Sequence, residues 1–526
     1  MTDARQTRSR RGGGGTVTIG SATLLGVDAV PVLVETSLRG EGSPRILGLV
    51  DAVVREAYHR VLAAFRACGV PSPRGHPTIN FVPAGLRKSG TGFDLPMALS
   101  LAGAGGLFAP EHVDGVAAYG EVSLHGAILP VRGTLAAAIA VHEAGFHSLL
   151  VASRDAPCAA HVAGLDVIPI DTLESALLHL LGEARIAAAT PAPRRARRSP
   201  VDDLADVRGH ETPKLALVVA AAGGHNVLFA GPPGSGKSAL MRRLPGLMPP
   251  PTAAEALEIA RIHGTLLGSG GELPDERPFR APHHSSSATS LLGGGPDLRP
   301  GEVTLAHRGV LFLDELPEFR REALEGLRQP LEDAVLHVGR ARQTTTMPAD
   351  VLLATAMNPC PCGWRGHPTR PCLCSPGQRH RYASRISGPL LDRIDIQLEV
   401  ATIPPEAWGR ADAPELATAA LRERVLAAVA RQHERCRRLG LPETRNARLG
   451  LREIERSSGG LTSLRPALQQ LLAREDLSGR AHVRVLRIAR TLADLDGRAE
   501  LAVEDLWQAI RLRGFVRRQN EARGVV

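Results

Sequence analysis

One eight-residue run decides what the rest of this chain can be. Gly231, Pro232, Pro233, Gly234, Ser235, Gly236, Lys237 and Ser238 follow the apolar run 226–230 and precede the helix-forming run 239–244. Strand, glycine-rich loop and helix in that order are the setting of a P-loop. The glycines let successive backbone N–H groups turn inward on phosphate oxygens, and the helix N-terminus adds partial positive charge. The pattern predicts ATP as ligand, with Lys237 reaching the β- and γ-phosphates and the Ser238 hydroxyl on Mg²⁺.

Further on, the apolar run 310–313 ends in Asp314 and Glu315. This is the pattern of a buried parallel strand delivering carboxylates to its C-terminal edge. Asp314 is expected to hold Mg²⁺ through water, and Glu315 to polarise the attacking water. A second buried strand, 351–357, ends at Asn358, where an amide beside the γ-phosphate orients the lytic water in the manner of the sensor of AAA+ ATPases. The segment 384–395 carries Arg385 and Arg393 near a subunit edge. Arg393 matches the arginine finger of that class, which acts on the neighbour's nucleotide and implies a ring, with a homo-hexamer expected. The alternative for Arg393 is a local ion pair with Asp392 or Asp395.

Two insertions interrupt the ATPase pattern. The first, 264–307, contains His283 and His284, for which contact with solvent or phosphate is expected over metal binding. The second, 334–347, reads as a β-hairpin with Arg340 and Arg342 at its tip. That tip either holds DNA phosphates in a central channel or is simply solvated. Just after Asn358 come Cys360, Cys362, Cys372 and Cys374, four of the seven cysteines. Two Cys-x-Cys pairs furnish four thiolates for a tetrahedral Zn²⁺ site that holds a loop, which we weigh above a disulfide. Helical periodicity then fills 419–439, 463–474, 480–495 and 503–513. A lid of this kind contributes a second sensing arginine, for which Arg480 is the choice and Arg484 the alternative.

The boundaries expected are a disordered tail at 1–15, an α/β domain at 16–182 and a basic linker at 183–203. An αβα P-loop core at 204–402 and a helical lid at 403–526 complete the chain. The linker's arginines, 194–198, suit a solvated connector or a DNA-touching strap. No apolar run is long enough for a membrane helix, and the tail has no apolar segment of a secretory signal, so a cytoplasmic setting is expected. The net charge of +9 favours polyanionic partners. With aromatics at 3%, stacking platforms are few, so DNA would be gripped through its phosphates.

Residues 16–182 present strand-like runs at 16–19, 31–36 and 78–82. A glycine-bearing turn at 88–94 opens a helix, 117–122 and 126–130 read as paired strands, and a second turn at 130–133 opens another helix. This order resembles the proteolytic domain of Lon-type proteases, whose serine nucleophile and lysine base lie at those two turns. Here Gly92 stands where that family has its serine and Leu135 where it has its lysine. Without nucleophile or base the scaffold has no peptidase chemistry.

Taken together, the runs 223–226 with the P-loop, 279–284, 300–302, 311–319, 358–363 and 384–395 resemble the ComM/YifB family of magnesium-chelatase-like AAA+ ATPases. The resemblance covers nearly the whole chain beyond tail and linker. It implies a hexameric motor that drives branch migration of DNA junctions during recombination or natural transformation. The alternative is a chelatase-type motor subunit that remodels a partner protein.

Overall fold

The computed structural model describes residues 15–40, 42–73, 75–195, 202–268, 273–295, 298–340, 343–403, 416–441, 444–461, 464, 466–470 and 479–514. Two large β-sheets, four two-stranded ribbons and a set of helices make up their regular structure.

The first sheet grows from β1 (Thr16–Leu25) and β2 (Asp28–Gly40), a hairpin whose register pairs Leu25 with Asp28. Val17 and Ile19 are buried while Thr16 and Thr18 are exposed, the alternation that one wet face imposes. With β3 (Arg45–Leu47), β4 (His76–Val82), β5 (Val116–Tyr119), β6 (Ser148–Ala152) and β7 (Asp166–Ile170), the strand order is β3-β4-β2-β1-β5-β6-β7. The β4-β2-β1 part is antiparallel and the β1-β5-β6-β7 part parallel. Helices α1 (Ala52–Ala67) and α2 (Asp94–Ala104) pack into the core on one face, and α3 (Thr134–Glu143) into that on the other. The runs expected to pair at 117–122 and 126–130 divide instead. Val116–Tyr119 enters the main sheet, and only Glu121–Val122 pairs with Ile128–Leu129.

Downstream, α4 (Glu211–Gly223) leads into β8 (Val227–Ala230), and α5 (Lys237–Arg242) follows the glycine-rich loop. Next come α6 (Ala253–Leu267), β9 (Phe279–Arg280), β10 (Val310–Leu313), the hairpin β11 (Val335–Arg340) and β12 (Gln343–Pro348), β13 (Leu352–Met357) and β14 (Ile396–Glu399). The second sheet is all parallel with order β9-β10-β13-β8-β14. Alternate residues of its strands feed different cores. Val227, Phe229, Val310 and Phe312 face one side, and Leu228, Ala230, Leu311 and Leu313 the other. Burial on both faces is why these runs read as continuously apolar. The glycine-rich loop lies between neighbours β13 and β14, at the carboxyl end of β8, where open α/β sheets place their ligands.

Helices α7 (Thr418–Leu439) and α9 (Gly479–Leu495) pack on α4, and α10 (Val503–Arg511) packs on α9. The structure adds α8 (Leu451–Ser457), which periodicity did not single out. Of the helix expected at 463–474, residues 466–470 are helical and 471–474 lie outside the described residues.

The two sheets are not independent. Helix α3 lies along α6, Gly133 N donates to Gly264 O (2.9 Å), and Arg261 reaches Asp28 (2.5 Å). The turn between β1 and β2 touches the root of the β11–β12 hairpin. A Cβ on Gly26, whose φ is +68°, would stand 3.1 Å from Met347 and 3.3 Å from Thr345. The linker is also held, since Arg194–Arg195 pairs in parallel with Leu273–Pro274 and Arg194 Nη1 donates to Pro251 O (3.1 Å).

Candidate functional site

The carboxyl ends of β8, β10 and β13 bring together residues far apart in sequence. Register makes this possible: Leu313 is level with Thr355, and Ala230 with Met357, so Gly231, Asp314 and Asn358 begin at the same sheet edge. Gly231 N donates to Met357 O (3.2 Å), tying the loop's start to the strand that ends at Asn358. Gly234 and Gly236 both have φ of +78°, the left-handed turns that glycine makes without penalty. Gly231 is needed for another reason, because a Cβ there would lie 2.2 Å from Val400 O.

Lys237 is buried and folds back on the loop. Its Nζ donates to the carbonyls of Gly231 and Pro232, both at 2.8 Å, and lies 3.4 Å from Ser235 Oγ. Burial lowers its pKa to about 8, with the Asp314 charge acting against that shift. Ser238 Oγ donates to Asp314 Oδ2 at 2.6 Å, so the two residues expected on Mg²⁺ are adjacent. A hydroxyl and a carboxylate at that distance suit a hard, oxygen-seeking cation. Pro232 and Pro233 complete the loop.

Glu315 occupies a left-handed backbone conformation, φ 52°, unusual for a residue with a Cβ. Its N–H donates to Asp314 Oδ1 (3.0 Å), and its half-exposed carboxylate lies 3.0 Å from His284 Nδ1. His284 in turn stacks on His283, ring centroids 4.1 Å apart. The sequence favours solvent or phosphate contact over metal for this histidine pair and carries no sign of its contact with Glu315. That contact follows from its place just after β9, an edge strand parallel to β10. Asn358 is half-buried, and its backbone is hydrogen-bonded with the buried phenol of Tyr382.

Arg393 lies at the other end of the sheet. It sits just before β14, beside Asn226, which immediately precedes β8 and donates from Nδ2 to Arg393 O (2.9 Å). A four-residue strand spans roughly 13 Å, which separates the Arg393 backbone from the phosphate loop at the opposite end of β8. Its guanidinium pairs with Glu332 and donates to Pro389 O (2.8 Å), while Nε is buried with no acceptor. The local pairs with Asp392 and Asp395 do not form there. Arg385 pairs with Glu318 instead (2.7 Å).

Arg393 borders a cavity of about 780 Å³ lined also by Asn226, Asp350, Arg445, Arg484 and Arg487. Arg484, on α9, has Nε 3.3 Å from Asp395 Oδ1, and its Nη1 is buried without a partner. Burial first, then the Arg277 charge, lowers Arg445 to about 10. Arg480 opens α9 one residue in, but its side chain lies outside the described residues. The same is true of the Arg340 side chain at the end of β11, and of Arg342 altogether.

The four cysteines converge beside the phosphate loop, with Sγ atoms all within 4.8 Å of one another. In the first domain, Gly92 precedes α2 and meets the ring of Tyr119, 2.3 Å from where its Cβ would be. The Tyr119 hydroxyl donates to Arg132 O (3.0 Å), and Leu135 is buried in α3. An aromatic ring thus fills the space a nucleophile would need. Among the described residues no helix is long and apolar enough to cross a membrane.

Comparison with known proteins matches three stretches of the chain. Residues 203–408 match the family model of magnesium chelatase subunit ChlI, residues 34–155 that of subunit ChlI of Mg-chelatase, and residues 415–513 that of the ChlI C-terminal region. YifB of Escherichia coli is 38% identical over 497 residues, covering 94% of this chain and 96% of that protein. Competence protein ComM of Haemophilus influenzae is 36% identical over 510 residues, 94% and 97% of the two chains. Lon protease 1 of Herpetosiphon aurantiacus is 30% identical over 151 residues, 27% of this chain and 18% of that one. With a magnesium-chelatase-type ATPase domain between a Lon-related N-terminal region and a ChlI-type C-terminal one, the chain belongs to the ComM/YifB family of magnesium-chelatase-like proteins.

Proposed function

We propose that this protein is an ATP-hydrolysing ring motor, a homo-hexamer, that acts on DNA and drives branch migration of recombination intermediates or of DNA taken up in natural transformation. The observation that carries the reading is the Ser238–Asp314 contact at 2.6 Å beneath the phosphate loop, with Glu315 next to it. When bound, Mg²⁺ neutralises developing phosphate charge, and Ser238 and Asp314 are the residues that would hold it. Lys237 exchanges its two loop carbonyls for phosphate oxygens, Glu315 accepts a proton from water, and the Asn358 amide orients that water.

Arg393 and Arg484 act on the nucleotide of the adjacent protomer. Both face away from their own phosphate loop, and each leaves a buried N–H without an acceptor, a costly state that a neighbour's phosphates would relieve. Arg480, on the same helix, is the further candidate for this sensing role. Arg340 and Arg342 at the hairpin tip grip DNA phosphates, and the net charge of +9 supports a polyanionic track. The name of the competence protein ComM, matched over nearly all of both chains, supports the transformation pathway and with it a cytoplasmic setting. The match to chelatase subunits supports a second reading, a motor that remodels a partner protein. The first domain takes no part in proteolysis on either reading.

The test is ATP turnover titrated with single-stranded, duplex and four-way DNA at several salt concentrations, with Lys237→Ala as the blank. Stimulation that is strongest with branched DNA and fades with salt is expected. Turnover indifferent to all three DNAs would contradict the DNA reading and favour the partner-protein motor.

A further inference from the structure

The segment from Asn358 to Ser375 joins β13 to the helix 376–383 without a helix or strand of its own. Apolar burial does not hold it in place. Pro359, Cys360 and Gly363 are buried, but Leu373 is 87% exposed and most other positions are exposed or half-exposed. Beside a local cluster of Trp364, His367 and Arg370, the sulfurs gather the two ends of the segment. Cys360 and Cys362 Sγ are 3.4 Å apart, and each is 3.6 Å from Cys372 Sγ, with Cys374 inside the same 4.8 Å cluster. These gaps far exceed an S–S bond of about 2.05 Å. They approach the roughly 3.8 Å that four thiolates adopt around one Zn²⁺ at a Zn–S distance of ~2.3 Å.

We propose that Cys360, Cys362, Cys372 and Cys374 hold a structural Zn²⁺ whose function is to clasp the phosphate loop and Asn358 together. The extension to nucleotide turnover rests on the ATPase reading above. Four protein ligands leave no open coordination position, so the ion does no chemistry itself.

One contact and two chain connections make the site a clasp. On one side, Gly363 has φ +82°, and a Cβ there would stand 2.8 Å from both Cδ and Cγ of Pro233. The turn between the two cysteine pairs therefore rests directly on the phosphate loop. On the second, Asn358 lies two residues before Cys360. On the third, Cys374 is followed by Ser375, the N-cap of the helix 376–383, closed by a reciprocal bond pair with Gln378. That helix returns Tyr382 to the Asn358 backbone, and Arg385 beyond it binds Glu318, three residues past Glu315. One ion thus fixes the ends of a segment that touches the loop, the water-orienting amide and the base strand's exit.

The experiment uses the full chain. Elemental analysis of the purified protein is expected to give about one zinc per chain, and a Cys362→Ser/Cys374→Ser variant none; a zinc-free wild type overturns the site. Hydrogen exchange across residues 231–238 and at 358 is then compared before and after zinc extraction. Faster exchange on extraction is expected whether or not the chain hydrolyses ATP, and unchanged exchange overturns the clasp. Because these readouts need no turnover, they stand apart from the ATPase reading. Gly363→Ala leaves every thiol in place and adds a methyl group towards Pro233, so it covers the case in which the double variant fails to fold. It should retain zinc and lose at least fivefold in ATP turnover. Full turnover with zinc retained would show that contact at Pro233 does not transmit to the site.

Discussion

Lys237 shows how far a single residue's chemistry follows from its place. Donating to two loop carbonyls in a buried site, it sits near pKa 8, whereas triphosphate oxygens favour the charged form. Below pH 8 the ammonium is already charged and binding requires no proton. Above it, each binding event takes one up, so ATP affinity should fall up to tenfold per pH unit. Calorimetry in buffers of different ionisation heat reads this directly, and proton uptake appearing only above about pH 8 is the expected result. Lys237→Ala should abolish hydrolysis. Glu315→Gln should retain ATP binding while turnover falls about 10²–10⁴-fold, the usual contribution of a positioned base. At Gly92 the absent nucleophile is a packing matter as well as a chemical one. Gly92→Ser drives an oxygen-bearing side chain into Tyr119 and should cost about 1–3 kcal/mol in denaturant melts, with casein still undegraded in the presence of ATP.

At the scale of elements, sequence patterns spoke most clearly where burial is symmetrical. Runs such as 227–230 and 310–313 are apolar throughout because both sheet faces are covered, and the hairpin at 335–348 carries its own alternation. Contacts between distant segments left no such trace. Nothing local in His284 announces Glu315, and nothing local in Gly26 announces Met347, because one contact exists only once the first insertion meets the ATPase core and the other only once two domains have met. The helix Leu451–Ser457 escaped for a related reason, being too short to show a period. The direction faced by Arg393 and Arg484 also had to await the fold, since it depends on which end of the parallel strands their elements reach. The hairpin supplies the prediction at this scale. Arg340→Ala combined with Arg342→Ala should weaken DNA binding across all sequences and reduce the slope of log affinity against log salt by about two. An unchanged slope would place the tip in solvent.

For the whole molecule, the proposed division between what one protomer owns and what it lends follows the two ends of the second sheet. The phosphate loop, Asp314, Glu315 and Asn358 gather at one end of the second sheet, and Arg393 lies with Arg484 at the other. The first domain is anchored on both α6 and the hairpin root, so in the proposed ring it would connect the seams with the proposed DNA grip. Mixing two inactive variants tests this division most directly. Lys237→Ala spoils the owned half of each site, and Arg393→Ala spoils the lent half. Each alone should be inactive, yet mixed rings contain seams where an intact loop meets an intact arginine. The account predicts that ATP turnover returns when the two are mixed and rises to a maximum at an intermediate ratio. No recovery at any ratio in rings verified to be mixed, or full turnover by Arg393→Ala alone, would contradict it.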